Sequence, residues 1–133
     1  MSKYGIVNAY PKGITKSLSE NFSVHEFDCS CTSERCHYTL IHDTVIRRLQ
    51  QLRNALGVSL HLTSAFRCMM HNMAVGGSKT SKHTLGFAVD IACPKGIDFD
   101  VFAKACKTAF GFTIEYKDKN FVHCDIRNIL LIK

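Results

Sequence analysis

An aspartate inside an apolar run, with a histidine shortly before it, is the first feature of this sequence that could do chemistry. The run covers residues 87–92, where Asp90 shares one strand face with the small residues Ala88 and Ala92. The histidine is His83. A buried, ionised carboxylate is strongly unfavourable unless it is paired or bound to a metal, so a cation or a hydrogen-bond donor is expected beside Asp90.

A second pair of polar residues, His123 and Asp125, falls on one face of the strand predicted at residues 121–127. Two neutral imidazoles and one carboxylate are a common ligand set for catalytic zinc, and they leave the fourth position for a water that the metal acidifies. His83, Asp90 and His123 are therefore candidate ligands of one catalytic zinc ion.

An arrangement without metal is the alternative. In it, His83 is an ordinary loop histidine, and Asp90 forms an ion pair with Arg67 or Arg127 inside the fold. The residue types and their spacing leave both arrangements open.

A group of thiols could hold a second metal. Cys29, Cys31 and Cys36 stand close together with His25 and His37 beside them, and a structural zinc could be built from such groups. Their spacing is not the usual paired Cys-x2-Cys, and no second pair follows. With seven cysteines and no recognisable secretion signal, packed free thiols are the default expectation.

Two stretches with apolar residues at helical spacing predict the helices that frame these candidate sites. The first covers residues 43–56, with Asp43 placed to cap it and Gly57 to end it, and the second begins after Asp98. The apolar positions are Val45, Ile46, Leu49, Leu52 and Leu56 in the first, and Val101, Phe102, Ala105, Cys106 and Ala109 in the second.

Strands are indicated by four short runs of alternating or β-branched residues. Arg67 lies just past the end of the first run, and a glycine-containing break at residues 74–78 precedes the second. The pattern predicts an α+β fold with a small, antiparallel-leaning sheet flanked by helices. The four runs are residues 58–64, 87–92, 112–116 and 121–127.

A chain of 133 residues corresponds to about one domain. Residues 1–36 are turn-rich and are expected to wrap the rest as an irregular N-terminal arm, pinned to the core by Phe22, Val24 and Phe27. Residues 37–133 then form the catalytic core.

The net charge of +6 and the pI near 9.0 suit an anionic polymer such as nucleic acid, teichoic acid or peptidoglycan. The basic residues are scattered, which fits an ordinary solvated surface equally well. No run approaches the roughly 18 apolar residues of a membrane span, and residues 1–15 lack the apolar region of a secretory signal. We therefore expect synthesis in the cytoplasm and no membrane association.

The sequence resembles the family of zinc D-alanyl-D-alanine carboxypeptidases and hedgehog-type metallopeptidases, the M15-like peptidases. Residues 81–90 match every fixed position of its zinc signature, Ser-x-His-x-x-Gly-x-Ala-x-Asp. Residues 62–67 are similar to the family's strand and following Ser-Gly-Tyr-Arg. Residues 71–77 resemble His-Asn-x-Ala-Val-Gly-Gly, residues 121–125 resemble Phe-Val-His-x-Asp, and residues 21–27 resemble the entry segment of phage and bacterial members.

The resemblance implies that His83, Asp90 and His123 bind the zinc ion. It implies that Arg67 binds the substrate carboxylate or steadies the anionic intermediate, although an ion pair with Asp90 or another acid stays open. The implied activity is hydrolysis of D-amino-acid-containing peptide bonds in bacterial peptidoglycan, by a carboxypeptidase or an endolysin-type endopeptidase. The implied partners are stem or cross-bridge peptides, and we expect a monomer that does not bind nucleic acid.

One departure from the family pattern concerns the general base. Many members carry an acid three residues before the last zinc histidine, or a histidine two before it, and here those positions are Asn120 and Phe121. Neither can take a proton from water. Asp125 is the first candidate base and is equally a candidate for orienting a zinc histidine, while Glu115 and Asp118 are second choices.

The missing base leaves a non-catalytic, zinc-containing binding or structural module as the alternative function. If the chain is an enzyme, its small size and lack of a secretion signal favour a phage lysin or a virion component. Such a protein would reach the cell wall after phage-type release.

Overall fold

The computed structural model of the protein describes residues 5–78 and 80–130. In these residues the chain forms eight strands and four α-helices, joined in places by 3-10 turns. In chain order they are β1 (Val7–Pro11), β2 (Ser17–Ser19), β3 (Phe22–Ser23), β4 (Tyr38–His42), α1 (Asp43–Leu56), β5 (Leu62–Ser64), α2 (Met69–Ala74), β6 (Ala88–Ala92), α3 (Phe99–Phe110), β7 (Phe112–Tyr116), β8 (Phe121–Asp125) and α4 (Arg127–Leu130).

An antiparallel sheet in the order β5-β6-β8-β7 lies at the centre of the fold. Val89 and Ile91 of β6, with Val122 and Cys124 of β8, are fully buried in one apolar cluster with side chains of α1 and α3. Because side chains alternate between faces, the intervening residues, among them Asp90, lie on the opposite face. The predicted α+β class with an antiparallel sheet is confirmed.

Both predicted long helices form, with one difference in capping. Helix α1 has the predicted bounds and ends at Gly57 in a left-handed conformation with φ of 68°. Its N-cap is His42, whose Nδ1 accepts the Thr44 backbone N–H at 3.0 Å, so the prediction of Asp43 as the cap is wrong. Asp98 caps α3 as predicted, through its side chain. Within residues 5–78 and 80–130, each helix is too short or too polar to span a membrane.

The N-terminal arm is more regular than predicted, although its first four residues lie outside the described part of the chain. Strand β1 pairs with β4 along its whole length, and β2 pairs with β3. The expectation of an irregular arm is therefore wrong for these stretches. Phe22, Val24 and Phe27 are buried, at 2%, 0% and 1% exposure, and pin the arm to the core as predicted.

Two predicted strands are shorter in the structure. Strand β5 holds three of the residues predicted in the run 58–64, and its pairing with β6 contains a register shift between Leu62 and Ser64. Strand β8 ends at Asp125, whose Oδ1 accepts the Arg127 backbone N–H at 3.0 Å. This local side-chain contact turns the chain into α4 and replaces the strand predicted up to residue 127.

Gly86 joins the candidate zinc loop to the arm-side strand β4. Its φ is 78°, and a Cβ placed on it would lie 2.6 Å from the Leu40 backbone oxygen. Its own carbonyl accepts the His42 backbone N–H at 3.0 Å. The glycine is therefore required both by backbone conformation and by close approach of the two segments.

We expect Gly86→Ala to lower the free energy of unfolding by about 1–3 kcal/mol more than Gly96→Ala, because only the first adds a steric clash. Gly96 is the matched control, since its φ is 88° and nothing lies within 4 Å of its Cβ position. Denaturant unfolding of both variants in chelator, so that bound metal adds nothing, is the measurement. Equal losses would show that the approach to Leu40 is unimportant.

Candidate metal centre

The three candidate zinc ligands lie together on the face of the sheet opposite the apolar cluster. Asp90 of β6 stands directly across from His123 of β8 in the antiparallel register, and His83 comes from the 3-10 turn Lys82–Leu85 just before β6. Asp90 Oδ1 lies 3.1 Å from His83 Nε2 and 3.0 Å from His123 Nδ1. One ligand atom from each of the three residues falls within 4.8 Å of the others.

On each imidazole ring, the nitrogen that points away from Asp90 contacts a hydrogen-bond acceptor. His83 Nδ1 lies 2.6 Å from the Ala65 carbonyl oxygen, and His123 Nε2 lies 2.7 Å from Asp125 Oδ2. Burial alone would raise the pKa of Asp125, but its hydrogen bonds with His123 and Arg127 lower it to about 2, so the carboxylate is ionised and can only accept. Both of these ring nitrogens must therefore carry the proton and donate it.

Because these two protons sit on the nitrogens that point away from Asp90, the other nitrogen of each neutral ring carries none and can only accept. In a neutral ring, His83 Nε2 and His123 Nδ1 then present lone pairs to the ionised Asp90 oxygen at hydrogen-bond distance, which is repulsive without a positive charge between them. Burial opposes a charged His123, yet its hydrogen bonds with Asp125 and Asp90 outweigh burial and raise its pKa to about 9. At neutral pH the metal-free site therefore holds a proton between His123 Nδ1 and Asp90, and a metal ion would take the place of that proton.

A zinc ion fits this donor set. Two imidazole nitrogens and one carboxylate oxygen are standard zinc ligands, and each histidine has an outer acceptor that fixes its orientation, as metal-binding histidines usually do. The ligands are also well shielded, since His83 is 2% and His123 9% exposed. Burial would raise the pKa of Asp90, but its hydrogen bonds with the two histidines lower it to about 2, so the anionic ligand form is favoured.

The arginines offered as metal-free partners of Asp90 have other contacts. Arg127 pairs with Asp125, its Nη2 lying 2.8 Å from Oδ2. Arg67 donates to the Ser81 hydroxyl at 3.3 Å, and its Nε is buried with no hydrogen-bond partner in the described residues. Asp90 contacts the two histidines instead, so the ion-pair alternative does not describe this structure.

The site opens into a cleft of about 710 Å³ between the loop after α2 and the outer strand β7. Among the described residues that line this cleft, Asp90 is the sole carboxylate, and four cationic side chains surround it. The lining is thus mostly basic, although the three candidate ligands within it favour a cation. The cationic residues are Arg67, Lys82, Lys119 and Arg127.

A family model described as peptidase M15 matches residues 20–125, which include all three candidate ligands and most of the chain. The chain belongs to the peptidase M15 family. This confirms the resemblance noted in the sequence and makes the protein a peptidase of a metal-dependent family. No curated protein matches the chain.

The candidate bases of this M15 peptidase do not face the cleft. Asp125 is fully buried behind the His123 ring, which favours its orienting role over proton transfer. Glu115 borders a separate hollow on the α3 side of the sheet, whereas its neighbours Ile114 and Tyr116 line the cleft. Asp118 is exposed and is absent from the described lining.

Arg127 and Asn72 are site-supporting residues whose roles the sequence did not reveal. Arg127 lines the cleft, holds Asp125 and lies 3.7 Å from the centre of the Phe112 ring. Asn72 is 1% exposed and donates to the Ser78 carbonyl at 2.8 Å, which secures the glycine loop at the cleft rim. The Asn-x-Ala-Val-Gly-Gly similarity was a signal for Asn72, whereas Arg127 was considered only as a partner of Asp90 and not of Asp125.

We expect Asp125→Asn to lower zinc affinity by about 10–100-fold, because the uncharged amide holds His123 less firmly and loses its ion pair with Arg127. Competition titration with a chromophoric chelator measures the affinity. A base role predicts instead that zinc affinity is unchanged while turnover falls by about tenfold or more.

The matched control is Asp118→Asn, which removes an exposed carboxylate that does not border the cleft. It should leave zinc affinity unchanged. Equal affinity in wild type and Asp125→Asn, with both folded by circular dichroism, would contradict the positioning role.

Proposed function

We propose that the chain is a zinc peptidase that hydrolyses D-amino-acid-containing peptide bonds of bacterial peptidoglycan, as a carboxypeptidase or an endolysin-type endopeptidase. The observation that carries the proposal is the convergence of His83 Nε2, His123 Nδ1 and Asp90 Oδ1 at the floor of a basic cleft. Membership of the peptidase M15 family supports it.

The chain's residues would divide the work as follows. His83, Asp90 and His123 would hold one zinc ion, while Ala65 and Asp125 keep the two rings in the tautomers that present free lone pairs. When bound there, zinc would supply a Lewis acid and a water acidified towards neutral pH.

The charge of the cleft suits an anionic peptide. Peptidoglycan stem peptides carry carboxylates, and the cationic side chains around the cleft would attract them. Arg67 is the group that we propose for a substrate carboxylate, since it lines the cleft and its planar fork can pair with two oxygens. The same charge could instead steady the anion formed at the scissile carbonyl.

We propose stem or cross-bridge peptides as the substrate and a monomer as the working form. The cleft volume of about 710 Å³ is within the usual range for a binding site of a small ligand or short peptide segment. We propose that the protein acts on the cell wall, which it reaches after phage-type release or as part of a virion.

We expect zinc-loaded protein to release new amino termini from purified peptidoglycan, and His83→Ala to abolish this release. The reason is that His83 supplies one of three ligands, so its loss removes the metal-activated water. Mass spectrometry of the released muropeptides is the measurement, with walls of different cross-link types, because fragment masses identify the bond cut.

His61→Ala is the matched control, since His61 is exposed and outside the described metal-capable groups. It should hydrolyse walls as fast as wild type. An absence of new termini from every wall type, with zinc bound, would reject the peptidoglycan activity.

A non-catalytic zinc module is the second candidate function, and one observation favours it. No described carboxylate apart from Asp90 lines the cleft, so the site lacks a visible proton acceptor for the water. In this case the fold would bind a cell-wall peptide without cutting it.

Phe121→His separates the two candidates, because it restores a residue type that many family members carry two positions before the last histidine ligand. Phe121 lines the cleft and shares the strand face of His123. If the chain is an enzyme limited by proton transfer, turnover should rise by roughly tenfold or more, given that a positioned base contributes about 10²–10⁴-fold.

The control is Phe121→Leu, which also removes the stacking on Tyr116, whose ring lies 4.6 Å away, but adds no base. Steady-state hydrolysis of a muropeptide is the measurement. Zinc binding without hydrolysis in wild type and in both variants would favour the binding module.

A further inference from the structure

We propose a second, structural zinc site in which the thiolates of Cys29, Cys31, Cys36 and Cys68 hold one ion. The four sulfur atoms lie within 4.8 Å of one another, and all four cysteines are free. This proposal is independent of the peptidase activity, because none of the four residues lines the cleft in the described residues.

The spacing of the sulfur atoms matches a tetrahedral zinc site. A Zn–S bond of about 2.3 Å makes each edge of an S₄ tetrahedron about 3.8 Å long. Cys68 Sγ lies 3.8 Å from Cys29 Sγ and 3.8 Å from Cys31 Sγ. A disulfide would need about 2.05 Å between two sulfur atoms, and none of the four is bonded to another.

Donors around the cluster suit thiolates. Four thiolates and one zinc ion carry a net charge of about −2. Lys12 Nζ lies 3.6 Å from Cys36 Sγ and 3.8 Å from Cys31 Sγ, so it offsets part of that charge. The backbone N–H of Cys68 donates to Cys29 Sγ at 3.5 Å, and that of His71 donates to Cys68 Sγ at 3.4 Å. Such outer contacts are usual around metal ligands.

Cys68 is the ligand that the sequence did not reveal. The sequence left a site of Cys29, Cys31 and Cys36 with neighbouring histidines as an alternative to packed free thiols, whereas the described metal-capable group contains Cys68 and no histidine. His37 Nδ1 instead lies 3.0 Å from the Arg35 backbone oxygen. The fourth thiol is distant in sequence because it belongs to the segment between β5 and α2, where it also caps α2.

The site joins the N-terminal arm to the segment that carries Arg67. Three ligands lie between the arm's 3-10 turn Val24–Phe27 and β4, and the fourth directly follows Arg67. One backbone hydrogen bond already links these parts, from Phe66 N to Phe27 O at 3.0 Å. A metal here would fix the arm against the segment that carries Arg67, in a region where Cys29 and Cys36 are 3% and 6% exposed.

The test uses Co²⁺ as a spectroscopic probe on the full-length chain kept reduced. His83→Ala and His123→Ala are combined first, so that the cleft site contributes no signal. This parent should bind one equivalent of cobalt with intense sulfur-to-metal charge-transfer bands and the d–d bands of a tetrahedral site. Adding Cys36→Ser should remove most of the charge-transfer intensity and weaken binding by at least about 100-fold.

Cys93→Ser is the matched control, because Cys93 is a partly buried thiol outside the cluster. It should leave the cobalt spectrum of the parent unchanged. If Cys36→Ser does not fold, X-ray absorption of the zinc-loaded parent decides the question, with four sulfur atoms expected at about 2.3 Å.

Three results would overturn the proposal: no metal bound by the reduced parent, a first shell of nitrogen or oxygen, or disulfides among these cysteines in freshly isolated protein. The outcome is distinguishable from that of the proposed function. If wild-type protein binds two zinc ions but does not hydrolyse peptidoglycan, the thiolate site stands and the proposed function fails. If wild-type protein hydrolyses peptidoglycan with one bound zinc ion, the proposed function stands and the thiolate site fails.

Discussion

The convergence of three acceptor atoms on one point is the interaction on which the functional account of this fold depends. Asp90 and His123 meet because β6 and β8 pair in a register that sets them opposite each other, and His83 reaches them from the turn before β6. Outer acceptors at Ala65 and Asp125 fix the proton on the far side of each ring. The near side is left electron-rich, and a cation relieves the repulsion.

Much of the remaining structure holds these three candidate ligands in place. The apolar face of the sheet packs with α1 and α3, which leaves Asp90 and His123 on the opposite face. Gly86 lets the ligand-bearing turn approach the backbone of β4, and β4 in turn pairs with β1 of the arm. The arm and the Arg67 segment meet again at the four thiols. Both groups of candidate metal ligands therefore join stretches of chain that are distant in sequence.

The local parts of this arrangement could be predicted from the sequence. Periodicity predicted α1 and β7 with the bounds that the structure has, and the family motifs at residues 81–90 and 121–125 indicated that His83, Asp90 and His123 meet. Distant contacts that no motif marks could not be predicted in this way. Cys68 joins the thiol cluster from a segment that is distant in sequence. Glu115 faces α3 because it alternates with Ile114 and Tyr116 along β7, and only the assembled sheet shows which of these two faces borders the cleft. The N-cap of α1 was misassigned because a histidine is an unusual cap residue.

The most direct test of the central claim is a crystal structure of the zinc-loaded protein with anomalous data collected at the zinc absorption edge. The account predicts an anomalous peak bound by His83 Nε2, His123 Nδ1 and one oxygen of Asp90, each at about 2.0–2.2 Å. It also predicts that Ala65 and Asp125 keep their contacts with the outer ring nitrogens. A peak absent from this place, or bound through the opposite nitrogen of either histidine, would contradict it.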